Sequence, residues 1–237
     1  MKRLPVKITY DFICPWCWIG HRNLVSALKD VAEATEPDIA YLPYELNPSM
    51  PSSGVDRKAY RTRKFGSWNR SLQMDAHVAA AGRVAGLDFN YDKVAITPNT
   101  LRAHRLMAFA QGKGDPKRTD DLFEAIFAAY FTRGENIGDV DVLVNVASGV
   151  GFDADEVREF LASRRGEDDV LAKEVDAQSA GVRGVPLFTI GGATINGAQP
   201  THVLKEVMDA EIRTVAPEDV GLDEADGCSG GSCKFGG

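Results

Sequence analysis

The feature that most restricts the fold is an abrupt change of period around Cys14-Pro15-Trp16-Cys17. Residues 6–13, VKITYDFI, alternate and are rich in branched and aromatic side chains, as a half-buried strand requires. Immediately afterwards Trp18, Leu24, Val25, Leu28 and Val31 recur at helical spacing. Pro15 suits the first helical position, where no intrahelical hydrogen bond is lost, so Cys14 falls at the N-cap, facing unpaired N–H groups and the positive end of the helix dipole. Residues 38–46, DIAYLPYEL, read as a second strand. Strand, helix and strand make a β-α-β unit, expected to be parallel and right-handed.

The pattern then changes. Between about residues 55 and 165 the spacing predicts successive amphipathic helices over 55–66, 68–85, 98–111, 116–133, 139–149 and 153–164. A helix over 167–180 leads into GVPLFTI, GGATING and AQPTHVLKEVMDAEI, which read as strand, tight turn, strand and helix. Neither β-bearing end offers enough strands for a stable sheet alone, so the two are expected to be halves of one α/β domain split by an all-helical insertion. With 237 residues, 44% of them hydrophobic, the chain can bury such a core. From about residue 214 it becomes acidic, then rich in glycine and serine, as a mobile tail does.

Charge and cysteine usage narrow the chemistry. A formal net charge of -7 disfavours nucleic-acid and anionic-membrane partners, and no apolar run approaches a membrane span or an export signal, so a cytoplasmic location is expected. Arg57, Lys58, Arg61, Arg63, Lys64 and Arg70, interleaved with Tyr60, Phe65 and Trp68, are read as a solvated helical face. The four cysteines form two close pairs, Cys14 with Cys17 and Cys228 with Cys233, a clustering that suggests thiol or metal chemistry rather than packing.

These pieces coincide in one family. With Cys14-Pro15-Trp16-Cys17 after the first strand, a helical insertion after the second and Gly184-Val185-Pro186 opening the penultimate strand, the sequence resembles DsbA-like disulfide oxidoreductases of the thioredoxin superfamily, in their FrnE-like branch. The blocks NTLRAHRL (99–106), FAAYFTRGENIGD (127–139) and GVPLFTIGGATINGAQP (184–200) support the likeness. The resemblance implies a thioredoxin fold whose halves are residues 1–54 and 166–213, with the insertion over 55–165 and the tail over 214–237. It also implies a cis peptide at Pro186 beside the cysteines, and no cofactor beyond a redox-active disulfide served by a glutathione or thioredoxin-type donor. The implied partners are protein substrates bearing thiols or disulfides; whether the chain is a monomer or a homodimer is left open.

The residues can carry that chemistry. A thiolate is the attacking species in disulfide exchange, and the N-cap favours it, so Cys14 is expected to be the nucleophile and Cys17, one turn on, the resolving thiol. Pro15 sets helical geometry, Trp16 offers a flat apolar contact, and Val185, before Pro186, presents backbone groups to an extended substrate. Asp11 and Glu45 are weighed as proton acceptors against plain exposed or salt-bridged carboxylates; the same caution applies to His21. His104 is expected to pack or cap within the insertion, and His77 and His202 show no informative spacing. Cys228 and Cys233 are weighed as a second redox pair able to relay to Cys14 against adventitious thiols on a disordered tail; a zinc site of all four cysteines fits poorly, so no metal is assigned. The alternative is a glutathione-dependent small-molecule isomerase or transferase of the kappa type, whose members typically carry serine where Cys14 stands.

Overall fold

The computed structural model describes residues 2–215, and Cys228 and Cys233 lie outside them. Strand β1 (Lys2–Tyr10) pairs in parallel with β2 (Thr35–Pro43), from Lys2↔Thr35 to Tyr10↔Pro43, and helix α1 (Pro15–Asp30) makes the crossover. On its other side β1 pairs antiparallel with β5 (Leu187–Ile190), and β5 pairs with β6 (Ala193–Asn196), giving the order β2-β1-β5-β6. The closing helix α9 (Thr201–Val215) packs on α1. This is the split sheet expected from the sequence, assembled from both ends of the chain.

Both N-terminal strands sit about three residues earlier than the alternation predicts. The reason is local: Asp11 turns the chain, its carbonyl accepting from Cys14 N–H (3.0 Å) and its carboxylate from Ile13 N–H (3.4 Å), so residues 11–13 leave the ladder. Along β1, Leu4, Val6, Ile8 and Tyr10 are buried while Arg3, Pro5 and Lys7 are exposed, the period of two of a sheet covered on one face. β2 is an edge, and Gln111 closes part of it by accepting from Tyr41 N–H (2.8 Å) and donating to Tyr41 O (3.1 Å).

Between the halves run α2 (Arg57–Phe65), α3 (Trp68–Val84), α4 (Leu101–Gly112), α5 (Pro116–Phe131), α6 (Val140–Gly149) and α7 (Ala154–Ala162), followed by α8 (Glu167–Ser179). The insertion is not wholly helical. Val55–Asp56 (β3) pairs antiparallel with Ile96–Thr97 (β4), because Asp56 must be extended to cap α2, accepting from Ala59 N–H, while Arg57 N–H bonds Ala95 O.

The insertion is fused to the sheet through one aromatic core. Phe123, Phe127 and Phe131, four residues apart on α5, form a ridge; Phe123 meets Tyr10 at 4.8 Å and Phe127 meets Phe12 at 4.9 Å. Each such fully buried ring contributes about 1.5–3 kcal/mol of transfer free energy. Gly20 allows α1 to lie close on β5: a Cβ there would stand 2.9 Å from the Phe188 ring and 3.3 Å from Ala198 Cα.

Candidate active site

The turn at Asp11 delivers Cys14 to the N-cap of α1 with extended backbone (φ -93°, ψ 107°), and Pro15 opens the helix. Cys17 N–H bonds Cys14 O (3.0 Å), placing the second thiol one turn inward. Both cysteines are buried, Cys14 at 7% exposed and Cys17 at 0%. Cys14 Sγ lies 3.5 Å from Val185 O, and the Val185–Pro186 peptide is cis. Trp16 is half-buried with its ring 5.7 Å from that of His77 on α3, a neighbour no spacing in the sequence indicated. Cys14, Pro15, Trp16, Cys17, Val185 and Pro186 therefore meet in one place, from segments about 170 residues apart in sequence.

Burial pushes the Cys17 thiol well up, helped by its hydrogen bond and proximity to Cys14, so its proton needs an acceptor. Asp11 and Glu45 are not exposed carboxylates: they are 0% and 5% accessible. Asp11 accepts from Leu46 N–H (2.6 Å), and His104 Nε2 stands 3.5 Å from its Oδ1 without hydrogen-bond geometry. The His104 side chain thus packs outside the insertion, its ring 5.0 Å from Tyr10 and 5.4 Å from Phe12. Burial, then the nearby Glu174, then Asp11, push Glu45 up to about 8. Thr100 donates to its Oε2 at 3.5 Å, while Glu45 N–H bonds Glu174 Oε1 at 2.9 Å. A buried carboxyl raised toward neutrality, Glu45, thus stands in the same core with Asp11 and Glu174 beside it.

His21 is no acceptor for Cys17. It is fully buried on α1 and bonded at both ring nitrogens, Nε2 to Asp120 and Nδ1 to Glu124 at 2.8 Å each, so it ties α1 to α5. Trp18 Nε1 joins the same Glu124 at 2.7 Å.

The basic stretch is solvated at Lys58, Arg63, Lys64 and Arg70, as expected, but Arg57 is buried and Arg61 partly so, and Arg57, Arg61 and Lys64 line, with Cys14 and Trp16, a cavity of about 180 Å³. Arg57 is 4% exposed and paired with Asp75 at 2.7 Å; its apolar contacts include the Tyr91 and Trp68 rings. The i, i+4, i+7 spacing of 57, 61 and 64 held the signal that these cations share a face; nothing in the sequence placed Asp75 or Tyr91 opposite them.

The same architecture occurs in known proteins. The chain is 28% identical over 209 residues to the uncharacterized protein YwbO of Bacillus subtilis, covering 87% of this chain and 96% of that one. The crystal structure of a probable DsbA oxidoreductase, SCO1869 of Streptomyces coelicolor, superposes with a TM-score of 0.82 at 27% identity, covering 99% of this chain and all of that one. The cytosolic disulfide reductase DsbM of Pseudomonas aeruginosa, solved with GSH, shares the fold at 17% identity, with a TM-score of 0.59 and 88% and 99% coverage. The model of the DSBA-like thioredoxin domain matches residues 5–209, and the chain belongs to that family.

Proposed function

We propose that this protein is a thiol–disulfide oxidoreductase acting on protein substrates through Cys14 and Cys17 in the cytoplasm. One observation carries the reading: Cys14 stands at the start of α1, beside the Val185 carbonyl that precedes cis Pro186, with Cys17 enclosed one turn behind. In the reductive direction the Cys14 thiolate attacks a substrate disulfide, forming a mixed disulfide and releasing one substrate thiolate. Cys17 then gives up its proton to the buried carboxylates and attacks Cys14 Sγ, releasing the second thiolate. The substrate gains two electrons, and the chain closes a Cys14–Cys17 disulfide. Oxidation is the same path reversed, and the relative reduction potentials set the direction.

The half-buried Trp16 and the backbone of Val185 beside Cys14 suit an extended polypeptide. DsbM, named as a cytosolic reductase, supports the compartment. Cys228 and Cys233 are proposed from their chemistry alone as a relay pair, to be sought as a mixed disulfide with Cys14. Insulin reduction and scrambled-protein refolding, each on wild type and Cys14→Ser, test the function. Thiol-dependent turnover is expected in wild type and none in Cys14→Ser. No turnover in wild type contradicts the reading in favour of the kappa-type isomerase.

A further inference from the structure

The cavity beside Cys14 has an unbalanced wall. Its charged lining is Arg57, Arg61, Lys64 and Asp75, three cations against a single carboxylate. Both oxygens of Asp75 are engaged, Oδ2 by Arg57 at 2.7 Å and Oδ1 by Arg61 at 2.8 Å, so two guanidinium groups share one negative charge. Lys64 adds a further charge and, among the described residues, bonds only neutral acceptors, the Tyr60 hydroxyl at 2.8 Å and Asn47 Oδ1 at 3.4 Å. The Arg61 side chain is 18% exposed, and burial and the neighbouring Arg57 disfavour its charged form. The buried hydroxyl of Tyr91, on the same lining, makes no hydrogen bond among the described residues. Two guanidinium groups enclosed around one carboxylate, with the exposed Lys64 at the rim and an unused donor beside them, ask for an anionic acceptor.

We propose that this cavity is a specificity pocket for a carboxylate carried on a short arm next to the sulfur that Cys14 exchanges with, Arg61 and Lys64 supplying the charge and Tyr91 a hydrogen bond. The inference rests on the exchange chemistry proposed above and names its substrate class. A volume of about 180 Å³ falls below the roughly 300–1,000 Å³ of pockets that engulf a whole ligand, so it takes one arm and leaves the rest of the substrate outside. Chemically, the Cys14 thiolate attacks the disulfide R–S–S–R, in which R bears the carboxylate. One RS⁻ leaves, and Cys17 displaces the second as the chain's disulfide forms and its proton is released. Long-range electrostatics oppose this preference, since the net charge of -7 repels anions; a preference for them must come from the local wall.

Three disulfides of similar size test it on the reduced full-length chain: dithiodipropionate, neutral 2-hydroxyethyl disulfide and cationic cystamine. Each rate is divided by that of 2-mercaptoethanol with the same compound, which removes differences in leaving-group reactivity. The anionic compound is expected to exceed the cationic one by roughly tenfold or more, the equivalent of about 1.4 kcal/mol, and about 1 M salt should shrink the ratio. Arg61→Gln and Lys64→Gln are expected to collapse the ratio and Arg61→Lys to keep it; because the ratio is taken within each variant, partial loss of folded protein does not alter it. Paired cystine peptides with acidic or basic flanks separate the sources. The same order among peptides marks an acidic polypeptide, and order among the small disulfides alone marks a small carboxylate-bearing thiol. A flat or inverted series in both arms overturns the pocket, whereas failure to react with any disulfide, the neutral one included, overturns the exchange function instead.

Discussion

Replacing His21 by leucine removes the buried side chain that joins the cysteine-bearing helix to the insertion by charge, leaving only the more exposed Arg22–Glu124 pair among the described residues. His21 donates to or pairs with Asp120 and Glu124 at 2.8 Å each while fully buried. Burial alone would lower its pKa, but the hydrogen bonds to the two carboxylates outweigh that and hold it above the ordinary value. Two charge-assisted hydrogen bonds at about 1.5–3 kcal/mol each set an upper limit of about 6 kcal/mol. The leucine variant loses less. Asp120 and Glu124 side chains are 34% and 19% exposed, and each keeps another donor, Tyr41 for Asp120 and Trp18 for Glu124. A cost of about 3 kcal/mol remains, or a fall in Tm of about 6–12 °C for a chain of this size. The pH dependence identifies the cause. A histidine whose folded pKa is raised contributes fully below its unfolded value of about 6.5, and that contribution is lost as pH rises through the folded value. Asp120 and Glu124 are held below their ordinary range because His21 outweighs their burial, so their share is present above about pH 4.5 and lost in acid. Urea unfolding of wild type and His21→Leu should therefore differ most near about pH 6 and less near about pH 9. Equal differences at both pH values, or a cost below about 1 kcal/mol, would refute a protonated His21 as the link.

Other parts of the molecule make equally definite statements. Gly20→Ala drives a methyl into the Phe188 ring and the Ala198 backbone and should cost about 1–3 kcal/mol, read by chemical denaturation; a neutral result would mean that α1 can move off β5. Asp75→Ala leaves Arg57 buried without its carboxylate and should cost about 3–5 kcal/mol, with Asp75→Glu less harmful. Glu45→Gln copies the protonated form of a carboxyl raised to about 8, so it should stabilise the fold by roughly 3 kcal/mol near about pH 9 and little near about pH 5; destabilisation at the higher pH would contradict the raised value.

Much of this was legible because it is written in short-range patterns. The switch from period two to helical spacing at Cys14, and Pro15 at the first helical position, locate the thiol at a helix start without any long-range information. The Gly184-Val185-Pro186 segment was tied to it only through the family resemblance, since nothing local says that Val185 O comes within 3.5 Å of Cys14. Illegible features are those in which the partner lies far away in the chain. His21 gives no sign of Asp120 and Glu124, about 100 residues on. Asp11 and Glu45 look like ordinary polar ends of strands, and their burial comes from helices α4 and α8 closing over them. Arg57 was misjudged for the same reason: a cation-rich helix reads as solvated until Asp75 arrives from the next helix to bury with it.

The division of labour between the two sulfurs is tested most directly by trapping. Cys17→Ser, mixed with a disulfide-bonded peptide and quenched in acid, should hold a peptide on Cys14, resolved by peptide mapping from any on Cys228 or Cys233, while Cys14→Ser should capture none on Cys17 on the same timescale because Cys17 is inaccessible. Equal capture by Cys17 in the Cys14→Ser variant, or no adduct on Cys14, would contradict the assignment at its root.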